Sequence, residues 1–565
     1  MSSPRRFRFR FPIRSDSPVL APMRHRIYFA VWTASLVSNF GTVIQAVGAA
    51  WLMTTIAPSP DYVALVQAAT SAPLMIFALI GGAMADTLDR RRLMLAAQAA
   101  IFAAALAVAL INVAGLLTPC SLLFFTFLIG TATAMYTPAW QSSVSDMVPR
   151  KTVPAAIGLN AVNFNLARSA GPALGGAIIA LWSASTTFFL NAVSVLGLVA
   201  VLWTWRHREP QHHLEPERLD RAVLSGIRYV AMSQLLRAPL MRATLFGLCS
   251  SALQSLMPLV ARDLVQGGPL TYGVLLGSFG VGAMAGGFTS VPLRRRLGPQ
   301  GLATWSSAAF GAASIVLGLS TWLPLSMLAL LVAGGCWTLA LSTFNITVQT
   351  SVPRWVTGRA LAAYQMCVFG GLALGSVVSG QIARSAGTEE ALMFAGMAML
   401  VGLLAARRYA IRSAESIDLN PHTLPLNSLP QIDLDPRAGP IIVTIEYRVA
   451  QENSAAFVEA AHKLARLRRG DGASDWTLIQ NLDEPEIWTE RFQAPTWLDH
   501  LRRQSRMTVA THAASEYVRT FHIGDPPVVR RFIERPEGSE SYLALVDEPP
   551  GEEQEIQQRI ARNSL

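Results

Sequence analysis

Arg168 is the sole charged residue in VPAAIGLNAVNFNLARSAGPALGGAIIALWSASTTFFLNAVSVLGLVAVLW, residues 153–203. Counting about 1.5 Å per residue from Val153 puts it roughly 22 Å along a helix, near the middle of a bilayer. Asn160, Phe164, Arg168, Gly171 and Gly175 recur at helical spacing and share one face. An unpaired guanidinium facing lipid costs several kcal/mol, so that face must point into a helix bundle or its water-filled cavity. Two roles follow. Arg168 is a cavity cation for an anionic or catecholate-like solute, or it is a structural donor to carbonyls of a bent neighbouring helix.

Other polar side chains lie within apolar runs: Asn39, Gln45, Gln141, Gln254, Asn345, Gln349 and Gln365. Each alone has the ordinary role of a helix–helix hydrogen bond. With Trp140, Phe344 and Met366 they would line a roomy, partly aromatic cavity suited to an amphipathic organic solute. No Asp or Glu occupies the core of any apolar run, so the group that would couple transport to a proton or ion is not visible. Asp61, Asp86, Asp146 and Asp263 lie near run boundaries. Cys120, Cys249, Cys336 and Cys367 form no Cys-x-x-Cys pair, and His207, His212 and His213 sit in a polar loop. Neither set suggests a metal site or a disulfide framework, and no cofactor is expected.

The elements that must position these residues are long and apolar. The chain is 52% hydrophobic and 15% charged, with mean hydropathy +0.36. Runs of about 20 residues or more, the length of a membrane-crossing helix, fall near 27–54, 62–85, 93–116, 120–145, 155–181, 186–206, 241–264, 271–293, 301–320, 324–349, 358–383 and 389–409. This is a polytopic membrane protein with the lipid bilayer as its partner. Basic residues gather in alternate loops: Arg90 to Arg92, Arg150 and Lys151, Arg206 to Arg242, Arg294 to Arg296, and Arg354 with Arg359. The positive-inside rule then places those loops and both termini in the cytoplasm of a multi-pass plasma-membrane protein. The net charge of +10 follows from that topology, and no nucleic-acid partner is read from it.

The sequence is duplicated. VPR at 148–150 recurs at 352–354, and the same shift carries Gly82, the Arg90–Arg92 cluster, Gly171 and Gly176 onto Gly286, Arg294–Arg296, Gly375 and Gly380. Two six-helix halves in parallel repeat therefore flank a polar joint. In that joint Leu219, Val223, Ile227 and Val230 share a face, as in an amphipathic helix lying on the membrane surface.

Twelve spans in two such halves resemble the major facilitator superfamily. GGAMADTLDRRR, residues 81–92, resembles its loop motif between spans two and three, with Asp89 where many members carry a second glycine. The resemblance implies a cytoplasmic latch. Gly82 lets helices approach, Asp86 faces the amino end of span eleven, and the basic neighbours Arg90 and Arg91 reach an acid at the end of span four, Asp146. GPALGG, with Gly171, Pro172, Gly175 and Gly176, resembles the span-five signature of family exporters, where glycines permit close packing and the proline bends the helix. The run DMVPR…LN…N…R…GPALGG followed by FFLNA resembles in particular the transmembrane secretion effectors, a branch that includes enterobactin exporters.

Beyond Arg412 the composition changes. IIVTIEYRV alternates as a strand, NSAAFVEAAHKLARLRR reads as a helix, DWTLIQNL and EIWTERF as strands, and helices follow from about Thr496 and near 510–521. This suggests a small ferredoxin-like α+β domain. With Trp476, Trp488 and Trp497 it resembles antibiotic-biosynthesis-monooxygenase-type domains, which implies dimerisation through its sheet; some relatives are oxygenases. The fold also hosts many non-enzymes, and here regulation or dimerisation is expected rather than catalysis.

The expected layout is a basic arm (1–26), a six-helix half (27–206), a linker with an amphipathic helix (207–240), a second half (241–410), a linker (411–438), a ferredoxin-like domain (439–535) and a tail (536–565). The expected function is secondary-active export of a small amphipathic organic molecule by alternating access, siderophore-like or another secondary metabolite. Multidrug efflux, nutrient uptake, and a bifunctional protein whose C-terminal domain is an oxygenase or sensor are the alternatives.

Overall fold

The computed structural model describes residues 18–205, 219–353, 356–411, 432, 434, 435, 437–505 and 507–534. Residues 1–17 of the basic arm, 206–218 and most of 412–436 in the linkers, Arg354, the segment from 535 onward and the side chain of Asp86 lie outside that description. The chain divides into two compact units. One comprises Met1–Pro210, Ala238–Thr347 and Leu361–Arg412; the other comprises Gln211–Arg237, Val348–Ala360 and Ser413–Leu565.

The first unit is helical. Its first half contains α1 (Arg26–Ile56), α2 (Pro60–Thr87), α3 (Arg90–Val113), α4 (Pro119–Met147), α5 (Val153–Leu181) and α6 (Ala184–Thr204). Helix starts are written in the sequence. Pro60 and Pro119 occupy first turns, where a missing N–H costs nothing. Thr118 and Ser121 form a capping box. Asp89 caps α3 by accepting from the Arg91 and Arg92 amides at 2.8 and 3.2 Å. That gives the residue at the motif's second-glycine position a local task.

After the linker helix α7 (Leu219–Met232) come α8 (Gln234–Ser255), α9 (Pro269–Leu319), α10 (Leu323–Thr350), α11 (Thr357–Ser385) and α12 (Thr388–Arg408). Among the described residues nine helices are long and apolar enough to cross a membrane. One of them, α9, has 51 residues and turns at Gly298, whose φ of 66° suits a residue without a Cβ. It therefore supplies two spans. With α5 and α12 the spans number twelve, the major facilitator architecture.

The duplication is visible in the packing. A Cβ on Gly171 of α5 would stand 2.8 Å from Val43 Cγ1 of α1. Its repeat counterpart Gly375 of α11 presses equally on α8, at Leu248. Gly176 of α5 meets Gly273 of α9, in the other half, and its counterpart Gly380 of α11 meets Asp61 and Ala64 of α2. The first repeated pair, Gly171 and Gly375, thus serves contacts within each half, and the second, Gly176 and Gly380, contacts between halves.

The second unit contains the C-terminal domain: β1 (Ile441–Arg448), α13 (Ser454–Gly470), β2 (Ser474–Gln480), β3 (Ile487–Ala494), α14 (Trp497–Ser505), α15 (Val509–Arg519) and β4 (Val528–Ile533). The antiparallel sheet has the order β2-β3-β1-β4, the ferredoxin-like arrangement. Val443, Ile445 and Tyr447 alternate inward from β1 to pack with Phe457, Ala461 and Leu464 of α13. The edge strand β4 was not expected from sequence, because VVRRFI is short, carries two arginines and has little buried surface. In the same unit a Cβ on Gly226 of α7 would stand 2.7 Å from Arg359 Cδ, and Tyr229 lies beside Gly470 at the end of α13. One face of this linker helix thus packs on protein, while Ile227 of its apolar face is exposed. Burial and the nearby Asp471 carboxylate push the Tyr229 hydroxyl well above its ordinary pKa.

Candidate functional site

A ladder of polar groups joins α1 to α5. The Tyr28 hydroxyl donates to Ala156 O at 2.8 Å and to Asn160 Oδ1 at 3.2 Å, and Trp32 Nε1 donates to Leu159 O at 3.0 Å. One turn on, Asn39 Nδ2 donates to Asn163 Oδ1 at 2.9 Å, while Asn163 Nδ2 donates to Trp32 O and Ser35 Oγ. Buried Gln45 accepts from Asn191 of α6. Asn39, Gln45 and Asn160 thus have the helix–helix role. Asn163, which sequence reading passed over, is the centre of the ladder, and its spacing of three from Asn160 was the available signal.

The remaining expected cavity residues are dispersed. Trp140 is half-buried and stacks on Tyr136 at 6.2 Å, and Gln141 is exposed. Gln254 has a buried Nε2 with no hydrogen-bond partner. Asn345 and Gln365 are half-buried and Gln349 is exposed.

Arg168 lies where α5 meets both halves. At about 100° per residue, its direction falls between Gly171 and Gly175 on one side and Ser169 and Gly176 on the other. The first pair packs on α1, and the second pair on the first arm of α9. The side chain therefore points into the wedge between one half and the other. It is half-buried, and among the described residues its guanidinium makes no hydrogen bond, ion pair or ring contact.

The halves approach each other toward one end of the bundle. On α5 the contacts with α9 run from Gly176 against Gly273 to Ser169, whose Oγ donates to Gly280 O at 3.2 Å. At the same end Trp51 stacks on Tyr272 at 6.0 Å, and Arg262 donates to Thr54 O at 2.7 Å. Arg384 pairs with Asp61 at 3.6 Å. Toward the Arg-rich end, Gly158 has open space where a Cβ would stand, while Ile157, Phe288 and Val291 are exposed. Arg168 sits next to the Ser169–Gly280 contact between the halves, on the side of open space toward the Arg-rich end.

Arg90 and Arg91 of the loop motif bond within the first half. Arg90 NH1 donates to Asp146 Oδ2 at 2.9 Å and to Ser142 O at 3.3 Å. Arg91 donates to the carbonyls of Leu202 and Trp203. Gly82 does not mediate the close approach expected of it, for nothing lies within 4 Å of its would-be Cβ. Gly81, one residue earlier and on the face turned to α4, has Ala134 O at 2.7 Å instead.

The C-terminal domain holds a second polar cluster, invisible in sequence. Buried Glu490 accepts from Trp476 Nε1 at 2.7 Å, Arg468 NH2 at 3.2 Å and the Tyr447 hydroxyl at 3.3 Å. Arg468 Nε also lies 2.7 Å from Oε1, close enough to pair but too poorly aimed for a hydrogen bond. Arg468 and Arg503 both lie over the Phe492 ring. Burial first, then Arg503 and Arg531, lowers the pKa of His500 to about 3. With its carboxylate held by three donors from three elements, the cluster reads as a structural knot. Among the described residues no three His, Cys, Asp or Glu side chains converge as a metal site.

Residues 17–537 match the family model described as transmembrane secretion effector. The multidrug efflux pump Tap of Mycobacterium tuberculosis is 25% identical over 423 residues, 73% of this chain and 97% of that protein. The staphyloferrin A transporter of Staphylococcus aureus is 25% identical over 163 residues, 29% of this chain and 41% of that one. The solved structure of the nucleoside transporter NupG superposes with a TM-score of 0.54 at 13% identity, covering 68% of this chain and 99% of that one, a likeness of fold.

Proposed function

Because the chain belongs to the transmembrane secretion effector family of the major facilitator superfamily, we propose that it exports a small amphipathic organic molecule by alternating access. It is a multi-pass transporter of the inner membrane. The observation that carries the export mechanism is the one-sided closure of the halves, joined from Asp61–Arg384 to Ser169–Gly280, with open space at Gly158 toward the Arg-rich end. Taking the Arg-rich end and both termini as cytoplasmic, this is the inward-open member of an alternating pair, ready to load from the cytoplasm.

Siderophore-like and other secondary metabolites are the leading substrates, supported by the similarity to a staphyloferrin A transporter. Multidrug efflux is the second reading, favoured by the longer match to Tap. Coupling to a proton or ion gradient and pairing of two chains through the C-terminal sheet belong to the same proposal. The C-terminal domain has a supporting rather than a chemical part, because its buried carboxylate is fully engaged.

The deciding experiment follows cellular accumulation of a labelled catecholate siderophore and of ethidium, with and without the protein. Lower accumulation that rises again with an uncoupler supports energised export. Equal accumulation of both compounds in the two strains removes export, and higher accumulation in the expressing strain makes it an importer.

A further inference from the structure

Arg168 is the feature that the fold itself leaves unexplained. Every other polar group along the α1–α5 seam described above is engaged: Tyr28, Asn39, Asn160 and Asn163 satisfy one another or a backbone carbonyl. Arg168, two turns beyond Asn160, makes no such bond among the described residues. It is half-buried, and too central to be solvated like a loop arginine. Its direction, set by Gly171 and Gly175 on α1 and by Ser169 on α9, opens into the cleft between the halves.

We propose that Arg168 is the anion-binding subsite of the transport cavity, and that the transported molecule carries a carboxylate or a similarly delocalised oxyanion. This rests on the export reading. A guanidinium presents a planar fork of donors that matches a carboxylate with two parallel hydrogen bonds. In a cleft walled by apolar helices, water screening is weak and such a pair is strengthened. The position also ties binding to the transport cycle. Ser169, the next residue, joins α5 to α9 at Gly280, so an anion seated on Arg168 lies beside a contact between the halves. No acidic side chain need intervene, since the substrate itself supplies the counter-charge.

The test uses the full-length protein in detergent and three probes, benzoate, 2,3-dihydroxybenzoate and citrate, each beside its methyl ester. At least one acid is expected to raise the melting temperature of the wild type while its ester does not. Arg168→Ala should weaken that acid's binding by roughly tenfold or more, the loss expected for a charge-assisted hydrogen bond. Arg168→Lys should retain part of the binding. Should Arg168→Ala not fold, Arg168→Gln and Arg168→Lys carry the comparison. Export of the bound acid and of its ester from cells completes the test. Absence of binding by all three acids, or equal loss of acid and ester in the variants, overturns the subsite. Binding that depends on Arg168 without export of either compound supports the subsite and overturns the export reading instead.

Discussion

Arg384 of α11 reaches Asp61 of α2 across the two halves, with NH1 3.6 Å from Asp61 Oδ2. The carboxylate is nearly buried, at 11% side-chain exposure against 60% for the arginine, and its Oδ1 has no hydrogen-bond partner among the described residues. Gly380 packs directly beneath, against the Asp61 Cα. Arg262 likewise binds the opposite half, donating to Thr54 O at 2.7 Å. Asp61→Asn should loosen the closed end. With one partner so exposed, the pair contributes at most about 1 kcal/mol, so the open population rises up to roughly fivefold. Labelling of Thr55→Cys by an impermeant maleimide reads this, and an unchanged rate removes the pair from gating.

Glycines at the seam and in the cleft should respond oppositely to one methyl group. A Cβ at Gly176 meets backbone atoms, Pro269 O at 2.6 Å and Gly273 Cα at 2.8 Å, which cannot step aside. Gly176→Ala should therefore separate α5 from α9 and lower the melting temperature. Gly158→Ala enters open space and gains up to about 1 kcal/mol of helix propensity. Thermal unfolding in detergent compares them, and equal effects would show that the seam is not close-packed.

The latch carried by the family resemblance makes a separate forecast. Asp86→Asn should cut transport while expression and insertion stay near normal, since the change removes an anion expected at a helix amino end. Cysteine accessibility from each side should shift toward the inward-open form. Normal transport with unchanged accessibility excludes Asp86 from the mechanism.

His500 sets an acid limit for the C-terminal domain. Its folded pKa of about 3 lies below the unfolded value of about 6.5, so the unfolded state alone binds a proton between them. Stability is then full above about pH 6.5 and falls as pH drops toward 3, by at most about 1.4 kcal/mol per unit. Hydrogen-exchange protection across 497–505 in the full chain, corrected for the intrinsic amide rate at each pH, should fall between pH 7 and pH 5, and His500→Phe should flatten that dependence. Identical pH profiles for the two proteins would refute it.

Truncation after Ala414 should leave an inserted, monodisperse bundle, because every span precedes it. Helix α7 should meanwhile lose amide protection, having lost the surface that Gly470 and Gly472 present to Tyr229 and Arg228. Aggregation of the truncated protein would give the tail a structural role in the bundle, and full protection of α7 would mean that its packing is independent of the tail.

Spans, repeat and tail fold were legible because bilayer length, arginine placement and strand alternation are local signals. GPALGG announced close packing, but which glycine faces which helix needed the fold: Gly171 and Gly175 turn to α1, while Gly176 turns to α9. The polar residues were harder. Asn39 and Arg168 look alike in sequence, as polar groups in apolar helices, and only three-dimensional pairing separates the engaged amide from the unengaged cation. Glu490 was hidden for another reason. In EIWTERF its neighbours give no hint that Tyr447, Arg468 and Trp476, from three different elements, converge on it.

The packing of α7 against the end of α13 has a consequence for biosynthesis. More than two hundred residues separate the two helices, so at ribosomal rates of about 5–20 residues per second α7 waits roughly 10–45 s for its partner. All six spans of the second half are made in that interval. The joint between the halves is therefore fastened last, after insertion is finished. A ribosome that stops before residue 454 releases a chain whose linker helix has Arg359 beside Gly226 but lacks the α13 end that faces Tyr229.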